Sequence, residues 1–215
     1  KSYNKKMNRF PLIALGVAST NLNGDILAVR YTKIAFQNEQ REEFDSIDSI
    51  SEQINKEEIE WEALPSQNDN GVLQRVKRER QVVHKIIKDE PIKDVKDAYL
   101  KLHLLSLKFV KPNSINLDGM FNVLPNVLWT NRGPVDPDDL EEIIEFDSQI
   151  KQWDPLYVRS IDKFPCLTDY VIPKGIRIAD ASRVRLGAYL SEGTTVMHEG
   201  FVNFNAGTLG PAMIE

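Results

Sequence analysis

The sequence has one cysteine, Cys166, so no disulfide can close within the chain and a reducing, cytoplasmic setting is expected. It has no apolar run approaching the roughly 20 residues that cross a bilayer, so no membrane partner is expected. Its first residues, Lys1 to Arg9, are polar and no apolar signal segment follows them. Basic charge is not in excess either: 27 Lys+Arg stand against 32 Asp+Glu, a net charge of -5. That balance argues against non-specific nucleic-acid binding, which rests on neutralising phosphates. Gly16 stands alone among the apolar residues around it and forms no phosphate-binding pattern.

What is present suits a folded chain of one or two domains. Of 215 residues, 41% are hydrophobic and 27% charged, enough for a core of useful size. Phe10–Ala18 and Ile26–Tyr31 read as two strands joined through Asn21–Asp25, because Asn and Gly tolerate the positive φ of a tight turn. Residues 37–70 are acidic and polar and are expected to be exposed and partly mobile. Val72, Val76, Val83, Ile86 and Ile87 fit one helical stripe. Val95, Ala98, Tyr99, Leu102, Leu105 and Phe109 fit another, and Pro91 separates the two. Met120–Trp129 reads as a strand in which Pro125 disfavours a central place. Asp136-Pro137-Asp138-Asp139 is a helix start, with a capping Asp, Pro in the first turn and acid behind it. Strands mixed with helices make residues 1–165 an α/β or α+β domain.

Residues 166–215 carry a different signal. Steps of six from Ile172 meet Ile178, Val184, Leu190, Val196, Val202, Thr208 and Ile214, every one aliphatic except Thr208. A period of six fits neither a helix nor an alternating strand, but it fits a hexapeptide parallel β-helix. There the periodic residue points inward and three sides close an 18-residue coil. Gly175, Gly187 and Gly193 fall three residues after an inward position, where the chain turns a corner. The coil is expected to be left-handed. A solenoid needs several turns and a cap, so the repeat is expected to continue beyond Glu215.

Two runs within the repeat narrow the reading. RIADASRVRLGAYL, Arg177 to Leu190, and TTVMHEGFVNFNAGTLG, Thr194 to Gly210, resemble the tetrahydrodipicolinate N-succinyltransferases, in the branch with a large N-terminal domain. Supporting stretches are Asn126–Asn131, Gly133-Pro134 and Asp162–Pro165; residues 1–119 match only in general character. The resemblance implies succinyl transfer from succinyl-CoA to the amino group of ring-opened tetrahydrodipicolinate, in lysine and diaminopimelate synthesis. It also implies a homotrimer with active sites between subunits. The 215-residue chain by itself is expected to be inactive, since most of such a cofactor groove would lie elsewhere.

Individual residues inherit expectations from that resemblance. Glu215 matches the catalytic carboxylate, acting as a nucleophile through a transient anhydride or as a general base. Glu199 matches a carboxylate that approaches the trimer axis and binds a cation, usually Mg2+; it is also the reserve catalytic carboxylate. Ser182 stands where many members carry a second acid, which puts a second axial metal in doubt. His198 is a rival base and otherwise a trimer-contact residue. Arg185, and less so Arg183, are candidates to pair with substrate carboxylates. The basic run Arg75, Lys77, Arg78, Arg80 and Lys85 reads as a solvated helix face, Cys166 as packing, and His84 and His103 as ordinary helix histidines. Competing readings are another hexapeptide acyltransferase using acetyl-CoA, a γ-type carbonic anhydrase, and a non-catalytic assembly fragment. The anhydrase needs three zinc-binding histidines, and the repeat contains His198 alone.

Overall fold

A computed structural model describes residues 9–60, 79–149 and 155–215. Three small sheets follow one another along the chain, with one buried helix at the centre. β1 (Leu12–Thr20) and β2 (Ile26–Phe36) form the expected antiparallel hairpin. Its turn is held by Asn21, whose side-chain oxygen accepts from the Asp25 N–H at 2.7 Å, and by Gly24 at φ 89°.

The third strand of that sheet corrects a sequence expectation. Residues Glu79–Ile86 form β3, paired antiparallel with β1, where a helical stripe is expected. Val82 and Ile86 face the core, and the β-branched run Val82-Val83 with Ile86-Ile87 favours a pleated strand. Spacings of three and four residues among Val83, Ile86 and Ile87 look helical only because both faces of β3 carry aliphatic residues. Arg80, His84 and Lys85 are therefore strand residues; Val72, Arg75, Val76, Lys77 and Arg78 lie outside the described residues.

Residues Arg41–Glu60 form α1, within a stretch expected to be an exposed, partly mobile segment. Phe44, Ile47 and Ile54 are buried at helical spacing, so a few apolar residues dock a helix that is mostly polar. α1 covers one end of the first sheet, where Phe44 and Ile47 meet Ile13 and Ala35.

α2 (Val95–Ser106) lies against the other face of that sheet. Asp94 caps it by accepting the Asp97 N–H at 2.8 Å. Every residue from Asp97 to Ser106 is buried, which few helices show, because β2 lies against it on one side and residues 186–188 on the other. Lys101, with no exposed side-chain surface, donates to Asp89 at 3.2 Å and to the carbonyls of Glu90 and Asn116. Phe109, expected on the same helix, lies beyond it and packs edge-on against Phe36.

The single strand expected over Met120–Trp129 is instead divided. Met120–Val123 makes one helical turn, α3, after Gly119; β4 (Val127–Thr130) begins only beyond Pro125, which cannot donate to a ladder. β4 is flanked by β5 (Gly133–Val135) and β6 (Val158–Asp162). Asp136 accepts from the Asp138 N–H and starts a short 3-10 turn leading into α4 (Leu140–Gln149), as its sequence predicts.

The last sheet is parallel and joins β7 (Arg177–Ile178), β8 (Thr195–Val196) and β9 (Met213–Ile214). Its register steps by eighteen residues, Ile178 to Val196 to Ile214. The same step recurs at Val184 with Val202 and at Tyr189 with Gly207, so successive coils stack along three separate sides. Val184, Leu190, Val196 and Val202 are buried, Ile178, Thr208 and Ile214 half-buried. Thr208 fits inside because its hydroxyl meets Thr194 at 2.7 Å and accepts the Ser191 N–H at 3.0 Å. Ile172 departs from the expectation: it is 77% exposed, so the inward row begins at Ile178. Val171 is buried in its place, since a short 3-10 turn at Leu167–Asp169 precedes the first coil and sets the phase there. Gly175, Gly187 and Gly193 all have positive φ, as corners require. One apolar core runs from Leu12 through Tyr99 and Trp129 to Val196. Among the described residues no helix is long and apolar enough to cross a membrane.

Candidate functional site

The edge of the coil that follows its first side gathers most of the sequence candidates. An eighteen-residue step stacks Glu215 on Met197, His198 on Asp180, and Glu199 on Ala181, with neighbouring coils roughly 4.8 Å apart. His198, Glu199 and Glu215 are all exposed there. The Met197 N–H donates to the Ile214 carbonyl at 2.8 Å, fixing the backbone on which Glu215 follows. Because Ile214 points into the coil, the next side chain points out.

Charges on this edge are partly matched. Arg183 donates to the Glu199 carboxylate at 3.0 Å, although that carboxylate is 85% exposed. Asp180 accepts from both the hydroxyl and the N–H of Ser182, at 2.7 and 2.9 Å. Those two bonds, with smaller help from Arg183 and His198, hold its carboxyl below the usual carboxylate range. Ser182, in the place of an acid, thus serves as the partner of one. Among the described residues no three of His, Cys, Asp and Glu are grouped to hold a metal. A cation at Glu199 would therefore need carboxylates from more than one copy of the chain.

Arg185 sits apart from this edge. Its guanidinium donates to Asp162 at 2.9 Å and to Asn203 at 3.1 Å, and lies 5.0 Å from the centre of the Phe164 ring. Phe164 and Phe204 stack beneath it at 4.6 Å. This arrangement clamps the end of β6 to the coil. Asn203, one coil on from Arg185, was legible in the period of eighteen; Asp162 was not. Cys166 is half-buried, and burial pushes its thiol up, which suits packing better than nucleophilic chemistry. His103 lies wholly inside: Nδ1 faces the Tyr99 carbonyl at 2.7 Å and Nε2 accepts from the Tyr31 N–H at 3.4 Å. His84 meets Asp97 at 3.2 Å and ties β3 to α2.

Comparison with known proteins accounts for the rest of the chain. The model of the tetrahydrodipicolinate N-succinyltransferase N-terminal region matches residues 29–122, and that of the middle region matches residues 124–165. The N-terminal match extends the resemblance over residues whose sequence shows it only in general character. A 2,3,4,5-tetrahydropyridine-2,6-dicarboxylate N-succinyltransferase of Salinispora tropica is 57% identical over 126 residues, 59% of this chain and 39% of that protein. The enzyme of the same name from Pseudomonas aeruginosa is 63% identical over 119 residues, 55% of this chain and 34% of that protein. This chain thus spans less than two-fifths of the length of these relatives. A crystal structure of a 2,3,4,5-tetrahydropyridine-2-carboxylate N-succinyltransferase from Campylobacter jejuni shares the fold. It superimposes with a TM-score of 0.73 at 24% identity, covering 98% of this chain and 63% of the other. Two adjoining family matches, together covering residues 29–122 and 124–165 from β2 through α2 to β6, show that the chain belongs to the tetrahydrodipicolinate N-succinyltransferase family.

Proposed function

We propose that this protein transfers a succinyl group from succinyl-CoA to the amino group of ring-opened tetrahydrodipicolinate, in the synthesis of diaminopimelate and lysine. The observation that carries this reading is the eighteen-residue register of the coil, which sets the exposed Glu215 over Met197, the residue before His198 and Glu199, in a chain of this family. Rigid stacked rungs suit the task, because aligned reactants gain rate from fixed orientation. The coil is read as the start of a left-handed parallel β-helix. Residues 166–215 form that part, and residues 1–165 an N-terminal α/β or α+β domain packed on it.

In this reading the substrate amine attacks the thioester carbonyl, and CoA leaves as its thiol. Glu215 takes the amine's proton as general base, or first accepts the succinyl group as an anhydride. Glu199 acts in assembly: copies of it from three chains would hold a divalent cation such as Mg2+, which would offset the repulsion between their carboxylates. Arg183, already on Glu199, supplies part of the same neutralisation. Arg185 supports the site from behind, since its guanidinium is held by Asp162 and Asn203. In the same reading the enzyme works in the cytoplasm as a homotrimer acting on small molecules.

The test is turnover of the full-length enzyme with succinyl-CoA and, separately, acetyl-CoA. Glu215→Gln should lower the chemical step by about 10²-fold or more, the scale of losing a general base, with little change in succinyl-CoA affinity. Glu199→Gln should act mainly on trimer stability. Normal turnover in the Glu215 variant beside a well-formed but inactive Glu199 trimer would reverse the two roles. Activity in both variants would remove carboxylate catalysis and leave His198 as the base.

A further inference from the structure

A cleft of about 210 Å³ opens away from the coil edge, between the first sheet and β4–β5. Strand register places Val17, Ser19, Arg30 and Glu79 beyond the end of the sheet face that α1 covers. Trp129, Pro134, Arg159, Asp169 and Tyr170 line it from other elements, beside the β4–β5 turn.

The charges in this wall are unequal in their partners. Arg159 donates to both carboxylate oxygens of Asp169, at 3.3 and 2.8 Å, and the two charges match. Arg30 is held differently. Its guanidinium donates to two main-chain carbonyls, Asp169 at 2.5 Å and Tyr170 at 3.5 Å, and lies 5.0 Å from the centre of the Tyr170 ring. Those contacts orient the guanidinium without cancelling its charge. Among the described residues no carboxylate pairs with it, and a guanidinium has further N–H donors to offer. A fixed guanidinium presents the fork that a carboxylate fits. Beside it, the faces of Val17, Trp129 and Pro134 are apolar, which suits a short hydrocarbon body.

We propose that this cleft is a second small-molecule site, separate from the Glu215 edge, which binds a small carboxylic acid through Arg30. The bound acid spans β2, β4–β5 and the Asp169–Tyr170 turn that leads into the coil, so its occupancy stiffens the N-terminal layer against the coil. The proposal does not depend on the succinyl-transfer reading, because no residue of the coil edge lines the cleft.

The experiment is an NMR titration of the 15N-labelled protein with isovalerate and with its neutral isostere, isovaleramide. Isovalerate should shift the Trp129 indole N–H, which donates to the Asp162 carbonyl at 3.0 Å, together with the amides of Arg30 and Tyr170. The amide should bind about tenfold or more weakly, as expected for losing a charge-assisted pair. Arg30→Gln should weaken isovalerate similarly, and Arg30→Lys less. Ser19→Leu, which fills the cleft while leaving Arg30 and its carbonyl partners intact, should abolish the shifts with the fold preserved. Equal binding of acid and amide, shifts centred elsewhere, or undiminished binding in Ser19→Leu would each overturn the proposal.

Discussion

In the sheet β2-β1-β3, β1 pairs with its hairpin neighbour β2 and, through Leu12 with Ile86 and Ser19 with Glu79, with β3, a strand far along the chain. In the coil, Arg177 pairs with Thr195 and Thr195 with Met213, always the next rung. The β1–β3 pairing closes a long loop before its contacts form; the coil adds order one rung at a time. α2 belongs to both. On one side the Tyr31 hydroxyl of β2 donates to the Lys96 carbonyl and the Tyr31 ring meets His103 edge-on. On the other, the Ser106 hydroxyl donates to the Ala188 carbonyl at 3.1 Å and accepts the Gly187 N–H at 2.8 Å. The contrast teaches that the coil is positioned by a helix which is itself held by the long-range sheet.

The largest effect should come from breaking that seam. Gly187 has φ 97°, and a Cβ there would lie 2.5 Å from Leu102 Cδ2 and 2.7 Å from Phe204 Cβ. Gly187→Val adds backbone strain to overpacking, together roughly 3–5 kcal/mol. Urea unfolding followed by hydrogen exchange should show α2 and the first coil losing protection together. Protection retained in α2 while the coil opens would mean that the two regions are not coupled through this contact.

A pH experiment should weigh the sheet side alone. Burial, opposed in part by the bond to Tyr99, lowers His103 to about 4. In the unfolded chain it titrates near 6.5, so between these values the unfolded state holds the extra proton. Stability is therefore complete above about pH 6.5 and falls by about 3 kcal/mol as pH drops toward 4. Urea midpoints at pH 7 and 4.5 measure this. His103→Gln should flatten the difference, leaving only the carboxylates such as Asp97, whose pairing gives the same sign. An equal pH slope in the variant would assign acid sensitivity to groups other than His103.

The smallest effects sharpen the coil itself. Val196 is fully buried between rungs, whereas Ile178 is half-buried on the first. Val196→Ala should cost about 2 kcal/mol and Ile178→Val about 0.5 kcal/mol. Denaturation midpoints of the two variants check the gradient; equal losses would show that the rungs do not depend on neighbours on both sides.

Reading by period succeeded where one short-range rule governs the chain. The six-residue row predicted that Val184, Leu190, Val196 and Val202 point inward and that glycines turn the corners, because each rung meets a copy of its own pattern. The hairpin through Asn21–Gly24 and the Asp136 cap were legible for the same reason, since both are made within a few residues. Among the candidate residues, the sequence and its family resemblance single out Glu215, His198 and Glu199; the register adds that Glu215 lies over Met197, the residue before His198.

Tertiary structure decided what local pattern could not. Whether Val82-Val83 and Ile86-Ile87 lie on a helix or a strand depended on the open edge of β1, to which β3 pairs along its whole length. Whether the polar residues after Arg41 form a helix depended on a sheet face that could bury Phe44 and Ile47. Arg185 is a candidate for a substrate carboxylate by resemblance alone; only the fold brings Asp162, at the far end of β6, within 2.9 Å of it. Nothing in the sequence around Arg30 marks it; only the fold brings the carbonyls of Asp169 and Tyr170 to orient it in a cleft. The physical reason is common to all four: hydrophobic burial and charge pairing act through space, and the chain brings such partners together only after it has folded.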